Sequence, residues 1–134
     1  MLESSFPVQF AISLAAILFL AGLTLVLRLG GEPRLASDEE ARAAARALER
    51  GFMPKAVARD ANERAALLSD ADGRVLLLRA HGGHFVARLL TKDTRAQLDA
   101  GTLRVETAER RFGGATLTLT EPRLWLRAIE ELAA

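Results

Sequence analysis

The sequence contains no cysteine among its 134 residues, which excludes disulfide staples, thiolate metal sites and cysteine nucleophiles together. Lysine is nearly absent as well. Arg outnumbers Lys sixteen to two, the bias of a GC-rich, bacterial coding sequence. Charge of one sign is missing too: 18 Lys and Arg stand against 17 Asp and Glu, a formal net charge of +1. A nucleic-acid binder normally shows a basic stripe and a much larger positive excess, so no nucleic-acid partner is expected. With 10 Gly and 4 Pro, neither a low-complexity nor a collagen-like chain fits. No internal repeat is apparent, and the length suits one domain rather than two.

One long uncharged run stands out. No charged residue occurs between Ser4 and Leu27, and Phe10 to Leu27 carries eleven Leu, Ile, Phe or Val residues. About 20 such residues at 1.5 Å rise cross a hydrocarbon core of roughly 30 Å, so the run predicts a transmembrane helix. A cleaved signal peptide would have a basic start and a shorter apolar run, whereas here only Glu3 precedes it. Arg28, Arg34, Arg42 and Arg46 follow the run and no Lys or Arg precedes it. That asymmetry predicts a single-pass inner-membrane (plasma-membrane) protein with its C-terminal domain in the cytoplasm. Residues 1–29 are thus expected to form a tail and transmembrane helix, 30–37 a linker, and 38–134 a small soluble α+β domain.

Beyond the linker residues Gly30-Gly31-Glu32-Pro33, Ser37 followed by Glu40 three residues later forms a capping-box pattern. It predicts a helix over 38–50 with a narrow alanine face. From Lys55 the texture changes to short apolar runs broken by turn residues, the signature of successive antiparallel strands. Strands are predicted over 55–60, 64–69, 74–80, 84–90, 95–98, 102–107 and 115–120, and a final helix over 123–133. Val75 to Leu78 is apolar at every position, as expected of a strand covered on both faces. Leu117 and Leu119 alternate with Thr116, Thr118 and Thr120, which leaves that strand one wet face. The expected fold class is therefore α+β: one N-terminal transmembrane helix, a short helix, then an antiparallel β-meander, barrel or open sheet, closed by a C-terminal helix.

Four features carry a further resemblance: the turn Asp70-Ala71-Asp72-Gly73, the run Val75-Leu76-Leu77-Leu78, the Leu117 and Leu119 strand, and Trp125 within Leu124-Trp125-Leu126. Over 55–134 this order of elements resembles the pleckstrin-homology-like barrel. The resemblance implies a strand meander capped by a helix that lays its Trp on the sheet. It implies no particular function, since such barrels bind lipid headgroups, peptides or nothing known. Versions that bind headgroups cluster Lys and Arg in their first strands, where this chain has only Lys55, Arg59 and Arg64 interleaved with Asp60 and Glu63.

Candidate chemistry is sparse. His81 and His84 flank Gly82-Gly83 and together supply two imidazoles, but a stable metal site needs more ligands. Ser69 beside Asp70 lacks the base and oxyanion donors of a nucleophilic triad. The pairs Asp70 with Asp72 and Glu130 with Glu131 lie at a turn and a helix end, poor places for a carboxylate of raised pKa. Gly82-Gly83 and Gly113-Gly114 lack the following helix start of a phosphate cradle. Arg110, Arg111 and Phe112 form the best candidate binding surface, where two guanidiniums beside an aromatic suit an acidic partner or anionic headgroups. No catalysis, metal or cofactor is expected. The chain reads as a membrane-anchored accessory or scaffold component whose partners are the membrane and another protein. The alternative is a membrane-proximal domain that binds lipid or a small ligand.

Overall fold

The computed structural model describes the backbone of residues 2–29 and 33–133, and the side chains of 7–23 and 33–133. The chain divides into two compact units, residues 1–32 and 33–134. Of the linker residues, 30–32 lie outside the described ones.

The first unit is a single helix, α1 (Leu2–Leu29). Among its described side chains, Val8, Phe10, Ile12, Leu14, Ile17, Leu18, Phe19, Leu20 and Leu23 are between 44 and 70 % exposed. The expected transmembrane helix requires correction, because among the described residues no helix is long and apolar enough to cross a membrane. Within the described side chains, residues 7–23, Pro7, Gln9 and Ser13 dilute the apolar run.

The second unit begins with α2 (Asp38–Leu48). Ser37 caps it, its hydroxyl accepting the Glu40 N–H at 3.1 Å, while the Glu40 carboxylate accepts the Ala36 N–H at 2.8 Å. Acids in the first turn and Arg46 in the last complement the helix dipole. Seven strands follow: β1 (Ala56–Arg59), β2 (Ala65–Ser69), β3 (Val75–His81), β4 (His84–Leu89), β5 (Arg95–Asp99), β6 (Thr102–Glu106) and β7 (Gly114–Thr118), and then α3 (Pro122–Glu131). The strands pair antiparallel in chain order but in two sheets, β1-β2-β3-β4 and β5-β6-β7. The expected single meander is thus broken between β4 and β5. Thr91 to Thr94 make a turn of their own there, with the Thr94 hydroxyl accepting the Thr91 N–H.

Period-two alternation decides what each face buries. Odd residues of β2 and β3 (Ala65, Leu67, Val75, Leu77) meet Leu103, Val105 and Leu117 from the smaller sheet, Leu119 just after it, and Trp125 and Ile129 of α3. Even residues (Ala66, Leu68, Leu76, Leu78) pack on the other face against Ala41 and Ala45 of α2, with Leu35 and Phe52 beside them. Small side chains on α2 let the helix approach the sheet closely. The all-apolar run of β3 is explained by this double cover, with Val75 to Leu78 completely buried.

Buried Asp60 joins the sheets. Its carboxylate accepts the Thr118 N–H at 2.7 Å, and the Ala61 N–H donates to the Thr118 carbonyl at 3.1 Å. Gly114 lets β7 lie close against β6, because a Cβ there would collide with the Val105 carbonyl oxygen.

Candidate functional site

The face of β3 and β4 that builds the larger core stops being apolar near the β3–β4 turn. Leu77 gives way to Arg79 and His81 along β3, and Leu90 gives way to Arg88, Val86 and His84 along the neighbouring strand. Phe112, delivered by the segment between β6 and β7, closes the core at this boundary and is 6 % exposed. The guanidinium carbons of Arg79 and Arg88 lie 4.8 and 5.1 Å from its ring centroid. Each such contact contributes on the order of 0.5–2 kcal/mol, more where water is excluded.

These two cations are unequally served. Arg88 Nε donates to Glu109 Oε2 at 2.9 Å, and Arg88 NH1 to the carbonyl of Ala87 at 2.8 Å. Arg79 has no carboxylate among the described residues: its NH1 donates to the Gly114 carbonyl at 3.3 Å, and its Nε is buried without a partner. The segment carrying Phe112 ties to itself. Thr107 N–H donates to the Gly113 carbonyl, Gly113 N–H to the Glu109 carbonyl, and the Thr107 hydroxyl to the Gly113 carbonyl at 2.5 Å. Gly113 permits this turn by adopting φ +75°. Arg110 and Arg111 are exposed on the segment, and neither makes an ion pair or hydrogen bond among the described residues.

The three residues singled out in the sequence therefore separate into two roles. Arg110 and Arg111 form an open cationic surface, while Phe112 is a core residue that fixes the loop beneath them. Sequence reasoning missed Arg79 and Arg88. Their signal is an Arg at a core-facing position of each strand, where β3 alternation calls for another Leu.

The remaining candidates serve the fold. Asp70 accepts the N–H groups of Asp72 and Arg74 and the Arg74 Nε at 2.6 Å, so its carboxylate closes the β2–β3 hairpin. His81 and His84 are exposed with ring centroids 6.0 Å apart, and no group of three metal-ligating side chains occurs among the described residues. Trp125 is core. A shallow groove of about 530 Å³ runs between β5, β6 and α3, lined by Arg95, Gln97, Arg104, Glu106, Ile129 and Glu130. Its charges are of both signs and favour no single ligand class.

No protein-family model matches the chain, and no curated protein and no solved structure shows significant similarity to it.

Proposed function

We propose that the protein is a membrane-anchored accessory component, with α1 as the anchor and residues 33–134 as a small, non-catalytic interaction domain. The observation that carries this reading is the exposure of α1. Nine large apolar side chains in the uncharged stretch of α1 stand in contact with solvent, and at roughly 25 cal/mol per Å² their removal from water is strongly favourable. Attachment requires only that these side chains enter an apolar phase. Anchoring in the inner membrane with the domain on the cytoplasmic side is supported by the Arg residues that follow α1, since the cytoplasmic leaflet carries the anionic lipids that attract them. The order of four strands, three strands and a closing helix supports a likeness to the pleckstrin-homology-like barrel, which by itself assigns no activity.

Crosslinking in intact membranes followed by purification in mild detergent tests the reading. It predicts one protein partner recovered reproducibly, with crosslinks mapping to residues 33–134. A monomer that crosslinks to nothing contradicts it. A second reading, a domain that binds anionic lipid or a small anion, is favoured by Arg110 and Arg111, which are exposed and have no ion pair among the described residues. It predicts that anionic vesicles, but not neutral ones, protect these two side chains from an arginine-modifying reagent.

A further inference from the structure

The outer edge of β4 is an unfinished ladder. The antiparallel register pairs His81 with His84 and Leu77 with Arg88, and the Leu90 N–H donates to the Val75 carbonyl. Backbone groups of an antiparallel strand point alternately to either side. Residues 84, 86, 88 and 90 therefore bond inward to β3, and Phe85, Ala87 and Leu89 turn their N–H and C=O groups away from the sheet. Among the described residues no strand lies beyond them. One of these groups has a substitute partner. Arg88 folds its guanidinium back over the strand and donates to the outward carbonyl of Ala87.

Beside this edge stands the cationic cluster. Arg88 pairs with Glu109 and lies over the Phe112 ring, so the exposed Arg110 and Arg111 between those two residues are held near it; Arg79 is half-buried against the same ring, and Glu109 is the only carboxylate that pairs with any of the four among the described residues. The Glu109–Arg88 pair is itself exposed on both sides, so a competing carboxylate displaces it at little cost.

We infer that the β4 edge and the Arg88–Arg110–Arg111 surface together form a docking site for an extended, acidic segment of a partner protein, which adds to the sheet as a further strand. The inference rests on the interaction-domain reading above and names the surface and the partner chemistry. Main-chain bonds to Phe85, Ala87 and Leu89 supply affinity, and side chains at alternate positions supply specificity. Those on the face of Val86 and Arg88 meet the cations and are acidic. Those on the opposite face meet half-buried Phe85 and Leu89 and are apolar. Arg88 acts as the guard of the edge: it leaves the Ala87 carbonyl for the incoming carboxylate and exposes the ladder as it does so. A lipid headgroup satisfies the cations but leaves the ladder open, and for that reason the geometry favours a peptide.

The test uses the full chain in a neutral detergent and a fluorescein-labelled peptide of about eight alternating Glu and Val residues, long enough to cover β4. Fluorescence polarisation is expected to show saturable binding, weakened by about fivefold or more in the Arg110→Ala, Arg111→Ala double variant, as for loss of exposed charge contacts. The control Arg46→Ala, Arg50→Ala double variant removes equal charge elsewhere and is expected to bind as the native chain does. The same peptide N-methylated at alternate residues keeps its charge but not its ladder donors, and is expected to lose binding; this arm needs no change to the protein. Equal binding of the methylated and unmethylated peptides overturns strand addition. Absence of peptide binding overturns the docking site, and protection of Arg110 and Arg111 by phosphatidylglycerol vesicles in that case assigns the surface to lipid. None of these outcomes depends on α1 entering a membrane, so the anchor stands or falls separately.

Discussion

Ala100 sits at φ +50° and Gly101 at φ +86° in the two-residue turn between β5 and β6. Two successive positive φ values define the hairpin turn for which Asn-Gly is the preferred pair. An alanine there bears the left-handed penalty of about 1 kcal/mol that glycine and asparagine largely avoid. Ala100→Asn is therefore expected to stabilise the domain by roughly 0.5–1 kcal/mol, read as a higher midpoint of chemical denaturation; an unchanged or lower midpoint would count against the turn geometry. Asp60 carries a larger effect at a single residue. Its carboxylate is buried and accepts the Thr118 N–H in a partly buried bond, so Asp60→Ala leaves that donor unmet. The expected cost is about 1–3 kcal/mol in the same assay.

Among the elements, the strands were the most legible part of the sequence. Apolar alternation and the Asp70–Gly73 and Gly82–Gly83 turns locate β2, β3 and β4 to within a residue or two, because a period of two and a positive-φ glycine are local properties. The cap of α2 was legible for the same reason. Ser37→Ala removes the acceptor for the Glu40 N–H and is expected to cost about 1 kcal/mol, measured by denaturation with α2 helicity followed by hydrogen exchange. What remained hidden depends on distant pairings. Nothing near Leu90 or Arg95 signals that β4 and β5 part company. Phe112 looks like a surface aromatic because its neighbours are Glu109, Arg110, Arg111 and Gly113, yet Arg79 and Arg88, more than twenty residues away, cover its ring and bury it. Arg110 and Arg111 stay exposed, as their neighbours in the chain suggest, whereas the strand arginines that share their surface became visible only through the register of β3 and β4.

For the whole molecule, the sequence overstated one element and understated another. The uncharged run led to a transmembrane span, and the described residues of α1 fall short of one; hydropathy reports that a helix seeks an apolar phase, not how deeply it enters. The domain's four-stranded sheet is stabilised from both faces, by α2 on one side and by the smaller sheet with α3 on the other. That arrangement leaves β4 at the edge of its sheet among the described residues. Attachment of the chain to a membrane through α1 is decided by alkaline carbonate extraction of the membrane fraction. The native chain is expected to remain with the membrane pellet, and the Leu14→Asp, Leu18→Asp double variant, which places two charges among the exposed apolar side chains of α1, is expected to move to the supernatant. Release of the native chain together with the variant would contradict that attachment.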